Sequence, residues 1–165
     1  MKVVAVSGVP GTGKTTIAKK LAKRLNFYYL DVNRLIAKNK LYEGYDKKRK
    51  TKVVGINKLN RFLIKEIKNT KELDKSRGIV IDSHLSHYLP KKYADFCIVA
   101  KCDIQILNKR LKKKKFHKGK IQENIQAEIF DVCYGEAVQR KHKIIVVDTT
   151  KGFNISKILK TIYKK

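Results

Sequence analysis

Residues 2–16 read KVVAVSGVPGTGKTT, and the order of their parts decides the fold. Lys2 to Ser7 is a short β-branched run of the kind that lies buried on both faces in a parallel sheet. Gly8 to Thr15 then fits GxxxxGK[ST], and from Lys14 onward Ile17, Ala18, Leu21, Ala22 and Leu25 recur at helical spacing with lysines on the other face. Strand, glycine-rich loop and helix thus follow in the order that gives the motif its meaning. The glycines let the backbone curl until its N–H groups point inward at phosphate oxygens, and the start of the helix adds partial positive charge. Lys14 suits β and γ phosphates. Thr15 offers a hydroxyl to Mg²⁺, which binds mainly through phosphates, waters and few protein oxygens.

Outward from this segment the pattern continues. Asn26 ends the first helix, Phe27 to Leu30 is a second strand, and Asp31 is placed to cap a short helix containing Leu35 and Ile36. Leu41 to Val54 shows no clear period and reads as a loop or mobile insert. Helical spacing resumes from Ile56 to Ile67, and Gly78-Ile79-Val80-Ile81-Asp82 is a third buried strand that ends in an acid. Phe96 to Ala100 is a fourth strand. Ile104, Leu107 and Leu111 mark a helix running into Lys112 to Lys115, which Gly119 separates from a long helical stretch around Ile121, Ile125, Ile129 and Val132. Ile144 to Val147 is the last strand, and an amphipathic helix through Ile155, Ile158, Leu159 and Ile162 closes the chain. Five buried strands alternating with helices specify an α/β fold of the P-loop NTPase class: a doubly wound parallel five-stranded sheet with helices on both faces and ligands at the carboxyl ends of the strands. Without a repeat or a low-complexity linker, residues 1–165 read as a single domain.

Composition narrows the setting. The chain carries 40 Lys+Arg against 14 Asp+Glu, a formal net charge of +26, so polyanions are the expected partners. Lysine-rich background composition is the competing explanation, although such drift normally raises glutamate as well. Cys97, Cys102 and Cys133 form no CxxC pair, which suggests neither a disulfide framework nor a zinc site and fits a reduced, cytoplasmic location. No apolar run reaches the length of about 20 residues that crosses a bilayer, and the amino-terminal stretch lacks the features of a secretory signal, so no membrane association is expected.

Asp82 closes the third strand where a carboxylate faces the phosphate loop and is placed to hold a Mg²⁺-bound water; a helix cap or loop carboxylate is the alternative. His84 and His87 compete for a part in proton handling or water positioning. A small-molecule kinase also needs a second pocket and a closing lid that excludes water. Two inserts suit those parts: residues 31–54, and the lysine-rich residues 113–123 flanked by Arg110.

Together GVPGTGKTT (8–16), LYEGYD (41–46), VIDSH (80–84), ILNKRL (106–111) and NIQAEIFDV (124–132) resemble the adenylate kinase isoenzyme six type, also called the coilin-interacting nuclear ATPase type, over nearly the whole chain. The resemblance implies broad nucleoside monophosphate kinase activity, with ATP and AMP giving two ADP, together with ATPase activity and a part in maturation of the small ribosomal subunit. It implies Mg²⁺ with ATP, and as partners a small-subunit ribosomal protein and ribosomal RNA. An assembly ATPase whose kinase activity is minor is the second reading. Carried over by position, Gly11, Gly13, Lys14, Thr15 and Thr16 would bind ATP, with Lys114 and Arg140 as further cations on it. Residues 31–54, with Asp31, Arg34, Gly44, Tyr45 and Asp46, would bind the monophosphate, and residues 113–123 would form the lid. Lys14, Asp82, His84 and Arg110 would be catalytic, with Thr15 and Asp82 on the metal. Where the family usually has Arg-Gly in the lid, this chain has Lys114-Lys115, a point charge in place of a bidentate guanidinium.

Overall fold

The computed structural model describes residues 1–47, 51–72 and 77–163. In chain order the elements are β1 (Lys2–Ser7), α1 (Lys14–Leu25), β2 (Tyr28–Asp31), α2 (Val32–Lys38), β3 (Tyr42–Asp46), β4 (Thr51–Val54), α3 (Ile56–Glu72) and β5 (Gly78–Asp82). After two single 3₁₀ turns follow β6 (Phe96–Lys101), α4 (Ile104–Lys113), α5 (Lys118–Ile129), α6 (Val132–Gln139), β7 (Ile144–Asp148) and α7 (Ile155–Tyr163). The main sheet has five parallel strands in the order β2-β5-β1-β6-β7. This is the doubly wound sheet expected from the five hydrophobic runs, and β1 at its centre carries the glycine-rich loop at its carboxyl end.

Alternation along β1 explains the layers. Val3 and Ala5 join Leu59, Leu63 and Ile67 of α3 in a core on one face, while Val4 and Val6 join Ile17, Ala18 and Leu21 of α1 and Ile158 and Ile162 of α7 on the other. A smaller cluster of Val9, Cys102, Leu107 and Leu111, with Phe116, Ile121 and Ile125 against it, packs the α4–α5 pair onto the phosphate loop. Among the described residues no helix is long and apolar enough to cross a membrane.

Local chemistry sets the ends of the helices. Asn26 adopts the left-handed conformation at φ 54° and ends α1, its N–H bonding back to the Ala22 and Lys23 carbonyls. The Asp31 carboxylate accepts from the Arg34 N–H at 3.1 Å and so begins α2, as its sequence position suggests. Asp103 does the same for α4, accepting from the Gln105 and Ile106 N–H groups.

Three expectations change. Residues 41–54 are not wholly irregular: β3 and β4 pair as an antiparallel hairpin with a register shift between Tyr42 and Gly44. Tyr45 and Val53 lie exposed on it, so no buried face imposes a period of two; residues 48–50 of this segment lie outside the described residues. Gly119 does not separate two helices but sits inside the first turn of α5. The break falls earlier, where Lys115 takes φ 55° and His117 Nδ1 accepts from the Lys120 N–H at 3.2 Å to cap α5. The long helix through Val132 is likewise divided into α5 and α6, because Asp131 adopts φ 51° between them. Residues 113–123 are therefore the end of α4, a tight turn and the first half of α5.

Gly78 opens β5 with no room for a side chain, since a Cβ there would meet the ring of the buried Phe27 at 2.4 Å. Gly78→Ala is expected to destabilise the protein by about 1–3 kcal/mol in urea unfolding despite the better strand propensity of alanine. Adding Phe27→Leu should recover part of that loss, which separates a steric cause from a backbone one.

Candidate active site

The phosphate loop is shaped by close packing as much as by conformational freedom. Gly8 takes φ 135°, and a Cβ on it would lie 2.5 Å from the Ala100 carbonyl oxygen of β6 and 2.8 Å from Thr12 Oγ1. Thr12 turns its hydroxyl onto the Val9 carbonyl at 2.8 Å, while Thr149, just beyond β7, donates its own hydroxyl to the Thr12 carbonyl at 2.6 Å. Gly13, at φ 89°, leads into α1, and its carbonyl accepts from the Thr16 and Ile17 N–H groups at 3.0 and 3.1 Å.

Lys14 sits mostly out of solvent. Burial pulls its ammonium below the usual lysine range, the charge of Asp82 opposes that shift, and Lys114 adds to it. Asp82 is 4% exposed at the end of β5, and its Oδ2 accepts from the Tyr29 hydroxyl at 2.8 Å. Its Oδ1 is buried and has no hydrogen-bond partner among the described residues. A magnesium ion fits that donor: a dry carboxylate oxygen with its lone pairs free, on the strand beside β1 and within reach of the loop lysine's charge. His84 lies two residues further on. Burial first, then the charges of Lys14, His87 and Lys120, push its imidazole down to about 4. It is neutral at physiological pH.

His87, the other candidate, belongs to a structural network. The buried Ser7 hydroxyl meets its Nδ1 at 2.6 Å, and its Nε2 lies 2.8 Å from Glu136 Oε2, whose other oxygen accepts from Tyr88 at 2.6 Å. Burial lowers the His87 pKa more than Glu136 raises it. The network is therefore satisfied by a neutral ring that accepts from Ser7 and donates to Glu136. It ties the end of β1 to α6.

One cavity of 860 Å³ lies over the loop and is lined by Gly11, Gly13, Lys14, Thr15 and Thr16 together with Arg110, Lys113 and Lys114. Lys20, Thr149, Lys151, Gly152 and Phe153 complete its wall, and these the sequence reading does not single out. Their signal is weak: a polar Asp-Thr-Thr-Lys-Gly run after the last strand. Arg110 is fixed, its Nη1 donating to Thr149 Oγ1 at 3.0 Å and its Nη2 to the Thr149 carbonyl at 2.8 Å. Arg140 is placed elsewhere. Its guanidinium stacks 4.1 Å over the Tyr88 ring and its Nη1 donates to the Glu136 carbonyl, so it serves the His87 network and does not line this cavity. Asp31 is brought beside Asp82, its partner in the β2–β5 register, whereas Arg34 is exposed on α2 and Gly44, Tyr45 and Asp46 ride on the hairpin.

Loop and sheet order define a P-loop fold with a cation-lined cavity, and comparison with solved structures gives the same fold. A deoxyadenosine kinase from M. mycoides with bound dATP superposes with a TM-score of 0.60 over 99% of this chain and 100% of its own, at 16% identity. Shikimate kinase from Acinetobacter baumannii gives 0.60 over 98% of this chain and 93% of its own, at 17% identity. Residues 4–131 match the family model described as an AAA domain. A Methanocaldococcus jannaschii protein described as "Putative adenylate kinase" is 40% identical over 147 residues, which cover 89% of this chain and 76% of that protein. A protein of Pyrococcus abyssi with the same description is 36% identical over 90% of this chain and 75% of its own length. The chain belongs to the family of these archaeal proteins and, over residues 4–131, to the AAA domain family.

The neutral state of His84 has a consequence for stability. An unfolded histidine titrates near 6.5, so between that value and about 4 the unfolded chain binds a proton that the folded site refuses. The contribution is complete above about 6.5 and is lost as pH falls through about 4. His84→Gln should therefore make the acid limb of stability against pH shallower in that window. His87 and His142, shifted in the same direction, keep it from becoming flat.

Proposed function

We propose that the protein is a nucleoside monophosphate kinase of the adenylate kinase isoenzyme six type, which moves the γ-phosphoryl group of ATP to AMP and so forms two ADP. The observation that carries this reading is the cavity over the phosphate loop, where Lys14, Arg110, Lys113 and Lys114 converge above the backbone N–H groups of a helix start. Membership of a family whose archaeal proteins are described as adenylate kinases supports the choice of reaction.

In the transfer, the bond between the γ-phosphorus and the β,γ-bridging oxygen breaks as an oxygen of the AMP phosphate bonds to phosphorus. The leaving ADP keeps the bridging oxygen. The attacking oxygen is already anionic, so no general base is needed, and the neutral, weakly basic His84 is suited to orienting groups and not to removing a proton. Thr15 and Asp82 would hold Mg²⁺, which neutralises phosphate charge when bound. Lys14 and the loop N–H groups align the donor phosphates. Residues 31–54 are assigned to the acceptor and residues 113–123 to the lid, all within one domain, with Lys114 supplying charge as the site closes.

The net charge of +26 favours a second role beside this one, in which ATP turnover accompanies work on ribosomal RNA, while a small-subunit ribosomal protein, usually basic itself, would be met through clustered acids or across that RNA. Stoichiometry separates the two. A kinase forms two ADP per ATP in the presence of AMP and releases no phosphate, whereas a remodelling ATPase releases phosphate and responds to its partner.

Lys14→Ala should lower AMP-dependent ADP formation by more than about 100-fold, measured in a coupled assay beside a phosphate-release assay. Turnover within tenfold of the wild type would rule out the loop lysine as the centre of charge neutralisation. Lys114→Arg should speed transfer, because the planar fork binds phosphate oxygens in pairs. A rate at or below that of the wild type would show that this lid relies on other cations.

A further inference from the structure

Tyr29 has no part in the readings above, yet it makes the one hydrogen bond that a side chain gives to Asp82 among the described residues. Its position follows from the sheet. β2 lies directly beside β5, with Tyr29 opposite Val80 and Asp31 opposite Asp82. Alternation puts Tyr29 on the α1 face, where its ring packs against the core below Lys19, at 5.7 Å from that ammonium. From there the hydroxyl reaches Oδ2 at 2.8 Å. Burial, then the bond to Asp82, drives the phenol pKa upward, so the hydroxyl stays protonated and donates.

The consequence lies in the other oxygen. A buried carboxylate oxygen without a partner is costly, and a cation stands near: Lys14 feels the charge of Asp82, although no hydrogen bond or ion pair joins them among the described residues. With Oδ2 released, the carboxylate regains rotation about its last torsion and is free to relieve that cost by pairing with Lys14. The ammonium would then be withdrawn from phosphate, and the oxygen from the metal.

We propose that Tyr29 is a positioning residue for the magnesium nucleotide: by holding Asp82 Oδ2 it keeps Oδ1 available and keeps Lys14 unpaired until the nucleotide arrives. The inference rests on the reading of Asp82 as the carboxylate that serves the metal. Tyrosine supplies what a packing residue at this point would not, a single directional donor at the rim of a parallel sheet. A tyrosine that only filled the core would affect stability alone.

The test is the linkage between magnesium and ADP binding, measured by titration calorimetry of ADP in EDTA and across a series of free Mg²⁺ concentrations. The wild type, Tyr29→Phe, Asp82→Asn and the double variant are compared, with Mn²⁺ electron paramagnetic resonance on the ADP complexes as a direct count of bound metal. Tyr29→Phe keeps the ring and is expected to fold, which its thermal midpoint will check. It should reduce the magnesium-dependent gain in ADP affinity by about tenfold, the effect expected of a group that orients a metal-serving carboxylate, while affinity in EDTA changes by less than about twofold. In the Asp82→Asn background the tyrosine substitution should have no further effect on that gain. Equal weakening with and without Mg²⁺, or a lowered thermal midpoint with the magnesium gain intact, overturns the role of Tyr29. Should Asp82→Asn lose the gain while Tyr29→Phe keeps it, the inference alone fails. Retention of the full gain in Asp82→Asn removes the reading of Asp82 and the inference with it.

Discussion

At Gly8 the backbone passes so close to the Ala100 carbonyl that no side chain fits between them, and the geometry of the site depends on that contact. It lets β1 turn away at its carboxyl end while still packed on β6, which places the loop in the crevice where the strand order reverses direction. Thr12 and Thr149 then fasten the loop through hydroxyl-to-carbonyl bonds, and the same Thr149 holds Arg110. A side chain at position 8 would meet β6 at Ala100 and the loop at Thr12, whose carbonyl is bonded by the same Thr149 that seats Arg110.

Electrostatics of the site centre on Lys14 and Asp82. Lys14 is half-buried and weakened as a base by loss of solvent, and the charge of Lys114 adds to that shift. His84 is held neutral by the same surroundings. The carboxylate that would balance Lys14 is engaged by Tyr29 on one oxygen and left bare on the other. In the proposed reaction, a triphosphate with its metal would offset the cost of each of these features. Such preorganisation is how a phosphotransfer site lowers a barrier that has little covalent chemistry for the protein to perform. The net charge of +26 adds a positive field of longer range, which attracts anions in general.

The parts of the structure that the sequence reveals are those with a local cause. The phosphate loop, the five buried strands, the Asn26 stop and the Asp31 cap all follow from residue types and spacings that act within a few positions. Other features depend on contacts distant along the chain. The hairpin of β3 and β4 shows no alternation because it buries neither face continuously. The division of α5 from α6 rests on a left-handed Asp131, whose carboxylate pairs with Lys101 across the fold. Gly119 looks like a separator only because glycine usually is one, while the real break is set by Lys115 and a histidine cap. Arg140 has the charge for phosphate, but Tyr88 and Glu136 claim it. Tyr29 is silent in the sequence, since nothing local says which carboxylate its hydroxyl will meet.

The cations of the cavity divide by how firmly they are held. Arg110 has its guanidinium bound on two nitrogens by Thr149, with Cys102 Sγ as a further contact at 3.3 Å, so it is a wall and not a moving finger. Lys113 and Lys114 are exposed at the end of α4, where the helix gives way to the tight turn before α5. The small cluster of Leu107, Leu111, Phe116 and Ile121 beneath that turn anchors both helices to the loop. A flexible ammonium loses more freedom on docking than a planar fork, yet it tolerates a wider range of phosphate positions. Set against the Arg-Gly that the resemblance implies for a lid, an ammonium at position 114 would trade alignment for reach, and the fixed Arg110 would supply the rigidity that the lysines lack.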